Sequence, residues 1–268
     1  MKDRVLSGVT LVAFFMAIVV FNRSFPLALN IAIAFISALA VFEVIKALEL
    51  SDRWYITVPG MTAAVLVQFC EFQQANIFIY SAFTACIFCA LLRHHREITF
   101  KEMAVVYSMV VLQTIVLVRT LSDQHGMFYA LVCVFSAWIP DAGAFFAGKL
   151  FGKHKLCPEI SPKKTVEGLI GGVLSSVIIL QLVGLIFTYG IYGGERQANW
   201  LSLLIIGFFG AFVSVLGDLS FSLIKRSCHI KDFGSVIPGH GGILDRFDSV
   251  IFTAPFVYMV TMLLPIVS

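Results

Sequence analysis

Charge is what this sequence has least of. Only 13% of its 268 residues are Asp, Glu, Lys or Arg, against about 25% in a soluble domain. Net charge is +3, which gives no reason to expect a nucleic-acid partner. The chain has no Walker-A loop, no dinucleotide fingerprint at a strand–helix junction and no HExxH. The common soluble nucleotide-binding and zinc-hydrolase signatures are therefore excluded. Of six cysteines, only Cys86 and Cys89 form a CxxC, inside an apolar run with no second pair. No disulfide framework follows, and the cysteines read as small buried hydrophobes. There is no internal repeat, no low-complexity segment and no linker long enough to separate soluble domains.

What the chain has is apolar surface. It is 59% hydrophobic with a mean hydropathy of +0.93. One water-soluble core of this size could not hide so much, so the composition is that of a polytopic membrane protein. Nine apolar stretches stand out, near 5–21, 26–45, 56–71, 76–92, 103–121, 127–148, 168–190, 200–224 and 248–267. A bilayer-crossing helix needs about 20 residues, and the third and fourth stretches are short for it. The first is kept as a span, because Asn22-Arg23-Ser24-Phe25 has no small-x-small cleavage pattern. The expected fold is all-α: one integral-membrane domain of about nine helices, with an N-terminal region 1–125 and a C-terminal catalytic region 126–268.

The basic residues set an orientation. With nine spans, the N-terminus and the loops near 46–55, 93–101, 149–167 and 225–247 share one side. That side holds all of the 19 Lys and Arg except Arg23, Arg119 and Arg196. The bias puts the N-terminus in the cytoplasm and the C-terminus on the outer side. The long loops 149–167 and 225–247 then meet soluble anionic metabolites.

Three places carry ionisable residues near membrane depth. Asp141 lies inside the sixth span beside Pro140. Proline frees a carbonyl in a helix, so a helix break there, with a carboxylate beside it, suits a cation or polar substrate. The bland alternative is a helix end capped by Asp141. Next, Ser161-Pro162-Lys163-Lys164-Thr165-Val166-Glu167 reads as a helix start with Pro162 in the first turn. Helix N-termini suit phosphate, which favours a phosphate site at Lys164 and Thr165. The other lysines of this loop read as headgroup contacts.

The third place is Ser222 to Asp248, with Asp218 before it. It packs Lys225, Arg226, Lys231, Asp232, Asp245, Arg246 and Asp248 between two apolar runs. Asp218, Asp245 and Asp248, with no thiolate near, suit a hard cation such as Mg²⁺ that keeps waters and substrate phosphates. Lys225, Arg226, Lys231 and Arg246 supply positive charge for phosphates. The turn Pro238-Gly239-His240-Gly241-Gly242 brings backbone N–H groups close to a ligand. His240 is open between base, phosphate donor and structural residue; His229 reads as solvated.

The string Ser222-x-Ile224-Lys225-Arg226, four residues, Lys231-Asp232-x-Gly234, then Ile237-Pro238-x-His240-Gly241-Gly242-Ile243-x-Asp245-Arg246-Phe247-Asp248 resembles the signature of the phosphatidate cytidylyltransferase (CDP-diacylglycerol synthase) family. Upstream D-x-G-A, F-G-K-H-K and S-P-x-K-T-x-E-G elements resemble it too, so the likeness covers about 130–255. One departure is visible: Ala142 and Phe145 stand where family members often have a hydroxyl residue and Tyr.

The resemblance implies transfer of CMP from CTP to phosphatidate, with Mg²⁺, in a bacterial inner membrane and facing the cytoplasm. It implies Asp218 and Asp245 as main metal ligands and Asp248 next, with a second site for a divalent or monovalent cation left open. It implies phosphate contacts from Lys225, Arg226, Lys231 and Lys164, and approach of CTP to Gly239, His240, Gly241 and Gly242. Asp141, Ser161, Thr165, Glu167, Asp232 and Arg246 complete the implied substrate-binding set. The partners implied are CTP, phosphatidate, membrane lipids and a second copy in a homodimer. A CTP-dependent lipid kinase of the polyprenol or phytol type is the alternative enzyme. A transporter is a third class, disfavoured because the charges crowd one face instead of lining a path.

Overall fold

A computed structural model of the chain describes residues 27–69, 126–191, 193–234 and 241–267, with isolated positions at 13, 17, 25, 118 and 121. Apart from those isolated positions, the expected spans at 5–21, 76–92 and 103–121 lie outside the described residues. The described chain is mostly helical: α1 Leu27–Ala47, α2 Trp54–Leu66, α3 Met127–Phe151, α4 Val166–Leu185, α5 Trp200–Ser227 and α6 Leu244–Leu263. One short antiparallel hairpin, β1 (Lys155–Cys157) and β2 (Ser161–Thr165), departs from the all-helical expectation.

Among the described residues, five segments are long and apolar enough to cross a membrane: Leu27–Ala47, Met127–Phe151, Val166–Ile191, Trp200–Ser227 and Leu244–Leu263. They coincide with five of the expected spans. The stretch at 56–71 is described as far as Phe69, as the 13-residue α2 followed by a 3-10 turn, Val67–Phe69. Large apolar side chains point outward on the long helices. Phe35 on α1, Ile178 on α4, Leu201 and Phe209 on α5 and Leu263 on α6 are all exposed. Water would penalise such a surface; lipid does not.

The chain divides into two compact units, Met1–Arg119 with Ile224–Phe247, and Thr120–Leu223 with Asp248–Ser268. In the first, Leu29, Ile33, Val41, Val44 and Ile45 of α1 are buried. Two helix ends in this unit stop in the same way. Glu49 and His229 take left-handed backbone (φ 59° and 57°). Leu50 N–H then bonds Ile45 O at 3.0 Å, and Ile230 N–H bonds Lys225 O at 3.0 Å. These are Schellman stops, which satisfy carbonyls that would otherwise be orphaned.

In the second unit, α3 and α4 pack through small residues. A Cβ added to Gly172 would lie 2.7 Å from Pro140 O, so the backbones approach as closely as helices in lipid do. Phe128 stacks on Phe187 (centroids 4.1 Å). Tyr129 Oη accepts the N–H groups of Ile266 and Val267 at 3.0 and 3.2 Å, pinning the chain beyond α6.

Two local expectations are corrected. Pro140 does not break a helix: α3 runs through it to Phe151. One missing donor is tolerated within a membrane-length helix; beside it, Ser214 Oγ donates to Ala137 O at 3.0 Å. Nor does a helix start at Ser161. Residues 161–165 are strand β2, paired with β1, where an edge position accepts Pro162 without an N–H. The N-cap is Thr165, whose hydroxyl accepts Gly168 N–H at 3.1 Å.

Candidate active site

Two constellations of charge occur, one in each unit. In the first unit, Asp245 stands in the opening turn of α6 with its side chain only 2% exposed. A buried carboxylate must be paired and hydrogen-bonded. Lys225 Nζ donates to its Oδ1 at 2.7 Å, and the N–H groups of Phe233 and Gly242 donate to its Oδ2 at 2.9 and 3.0 Å. The Lys225 ammonium also lies over the Phe233 ring, 5.4 Å from its centroid. Gly241 takes φ +86°, and a Cβ there would stand 3.0 Å from Asp245 Oδ2. This turn position suits glycine on both counts.

The same turn is held from a second direction. Glu43, buried in α1 at 4% exposure, accepts the N–H groups of Ile243 and Leu244 at 2.9 and 2.8 Å. These belong to the unsatisfied donors at the start of α6, and the positive end of the helix favours a carboxylate there.

In the second unit, Lys164 Nζ lies 2.5 Å from Asp218 Oδ2. The ammonium is shielded from solvent and paired with the Asp218 carboxylate. Ser222 Oγ donates to Asp218 Oδ1 at 3.2 Å. The Ser249 hydroxyl stands 2.9 Å from Asp141 Oδ2 and 3.3 Å from Asp248 Oδ1, and Ser249 N–H donates to Asp248 Oδ1 at 2.8 Å. Gly217 lets α5 close on α6, since a Cβ there would lie 2.9 Å from Asp248 O. Asp218 is the next residue.

The structure thus joins Lys225 with Asp245, Lys164 with Asp218, and Asp141 with Asp248 through Ser249. Gly242 gives its N–H to Asp245. Glu167 serves the hairpin: its carboxylate accepts the N–H groups of Lys153 and His154 at 3.1 and 3.2 Å and contacts His154 Nδ1 at 2.6 Å. Thr165 caps α4. Ser161 lies in β2. Arg226, Lys231 and Asp232 are exposed, and Arg226 Nη1 donates to Ile230 O at 3.3 Å. Arg246 is half-buried in the first turn of α6. Gly239 and His240 lie outside the described residues. Glu43 and Ser249 were not anticipated from the sequence.

Among the described residues, no three His, Cys, Asp or Glu side chains converge to cage a metal alone. The donors present are oxygens, and Asp218 and Asp248 stand on helices in close contact at Gly217. That set fits Mg²⁺, which binds through one or two carboxylates and completes its shell with waters and substrate phosphates.

The model of the cytidylyltransferase family matches residues 2–264. The phosphatidate cytidylyltransferase of Bacillus subtilis is 32% identical over 273 residues, covering 96% of each chain. The phosphatidate cytidylyltransferases of Staphylococcus saprophyticus and Haemophilus influenzae are 47% identical over 131 residues and 41% over 132. Those two matches cover 49% of this chain, and 48% and 45% of the relatives.

Proposed function

The chain belongs to the cytidylyltransferase family, and from that premise we propose that it transfers the CMP moiety of CTP to phosphatidate, giving CDP-diacylglycerol and pyrophosphate. The observation that carries this reading is the near full-length match to a relative of that name, together with the uninterrupted string from Ser222 to Asp248. A phosphate oxygen of the lipid attacks the α-phosphorus of CTP. One P–O bond forms, the bond from the α-phosphorus to the bridging oxygen breaks, and pyrophosphate leaves. The attacking oxygen is already ionised near neutral pH, so no general base is needed. Positioning and charge neutralisation carry such a transfer.

Asp218, Asp245 and Asp248 are the proposed ligands for Mg²⁺; when bound, that ion neutralises phosphate charge and aligns the reacting oxygens. Lys164, beside the proposed metal ligand Asp218, is placed to meet a phosphate oxygen, and Lys225, Arg226, Lys231 and Arg246 add charge. The turn from Gly239 to Gly242 approaches CTP, and Asp141, Ser161, Thr165, Glu167 and Asp232 surround the substrates. The protein acts in the bacterial inner membrane as a homodimer. Its nine spans leave the N-terminus and the site in the cytoplasm, as the distribution of Lys and Arg supports.

The test is direct. Detergent-purified protein receives phosphatidate, Mg²⁺ and CTP labelled at either the α- or the γ-phosphorus. The proposal expects α-label in a CDP-lipid and γ-label in pyrophosphate. Incorporation of γ-label into lipid would make the protein a CTP-dependent lipid kinase.

A further inference from the structure

We infer that Glu43 is a positioning residue for this reaction, fixing from α1 the glycine turn that leads into α6. The inference rests on the reading of the reaction given above. It starts from a residue that the apolar pattern of α1 does not explain. A carboxylate in a membrane-length helix is costly unless it has partners. Glu43 is 4% exposed, and it accepts two backbone hydrogen bonds, from the N–H groups of Ile243 and Leu244.

The surrounding sequence is matched to that carboxylate. A Cβ on Gly234 would stand 2.6 Å from Glu43 Oε1, and a Cβ on Gly242 would stand 2.6 Å from the same oxygen. Real Cβ atoms do not come so close to an oxygen, so any side chain at either position displaces the acid. Glu43 fills the room that Gly234 and Gly242 leave.

The consequence reaches Asp245. The consecutive N–H groups of Gly242, Ile243 and Leu244 go to Asp245, Glu43 and Glu43 in that order. Asp245 cannot hold Gly242 and Phe233 and still meet Lys225 unless the backbone between Gly242 and Leu244 keeps its course. Glu43 sets that course. It touches no reacting atom in this account; it acts through Asp245 and Lys225.

The experiment compares Glu43→Gln and Glu43→Leu with the unmodified protein. Gln keeps the shape but loses the charge and one of the two acceptors. Leu suits an apolar helix and leaves both N–H groups without an acceptor. Two measurements are made on full-length protein in detergent: amide hydrogen exchange of the peptide spanning 241–247, and kcat and KM for CTP. The expectation is faster exchange in that peptide for both variants, with kcat lowered about 10- to 100-fold, the scale of a displaced active-site group. KM for CTP should change by less than about threefold, because uniform binding is untouched. Unchanged exchange would show that the contact is not made. Faster exchange with unchanged kcat would make Glu43 a packing residue only. If neither variant yields folded protein, Gly242→Ala approaches the same carboxylate from the other side and should give the same loss of kcat; normal turnover there would also overturn the inference. Should the unmodified protein form no CDP-lipid, the reading of the reaction fails, while the exchange result still decides whether Glu43 holds the turn.

Discussion

Lys225 Nζ and Asp245 Oδ1 lie 2.7 Å apart with side chains 10% and 2% exposed. Neither charge can turn to water if the other is removed. Lys225→Met should therefore cost about 3–5 kcal/mol of stability, the usual result of stranding one member of a buried pair. Combining it with Asp245→Asn should recover part of that loss. Thermal unfolding of the two single variants and the double variant checks it; additive losses would show that the pair is not coupled.

The pair of Lys164 with Asp218 should behave oppositely. Its side chains are 20% and 25% exposed, more open than those of the first pair, so losing one partner should cost less stability than it does there. Asp218→Asn should leave the thermal midpoint nearly unchanged while CDP-lipid formation falls by about 100-fold or more. Near-normal turnover in Asp218→Asn would remove this aspartate from the proposed metal ligands.

Ser249 sits between two carboxylates, Asp141 and Asp248. Its hydroxyl orients both, and residues that orient metal-binding carboxylates typically matter by about 10–100-fold. Ser249→Ala should raise the Mg²⁺ concentration needed for half-maximal activity by that order. Titrating activity against Mg²⁺ gives the answer, and an unshifted curve would confine Ser249 to packing.

Thr165 separates capping from substrate contact. Its hydroxyl accepts Gly168 N–H at 3.1 Å, and the residue is 7% exposed. Thr165→Ala should cost about 1 kcal/mol, while Thr165→Ser should keep both the cap and turnover. Loss of turnover in the Ser variant without loss of stability would give the threonine methyl a role in binding.

Much of the candidate site was legible because charge is rare in this chain. Asp218, Lys225 and Asp245 stand out between apolar runs, and the sign and chemistry of each followed from its type. Glu43 was equally visible as a lone acid within a membrane-length run. Its role is not legible in the sequence, because its partners include backbone N–H groups, which leave no trace in side-chain patterns. The start of α4 was misplaced for a related reason. Ser161-Pro162 looks like a cap and first turn, and only pairing with β1, a non-local interaction, makes those residues a strand. α3 runs on through Pro140, because a helix within a membrane-length run tolerates one missing donor.

Leu244 follows Glu43 by 201 residues. At roughly 5–20 residues per second, a ribosome spends on the order of 10–40 s on that stretch. For that interval the nascent chain holds an acid in the apolar α1 and none of the backbone donors that meet it in the folded protein. The carboxyl is anchored only when the last helix begins, so a chain arrested before Ile243 carries its acid without those donors. The anchoring of Glu43 thus waits on residues made long after its own helix.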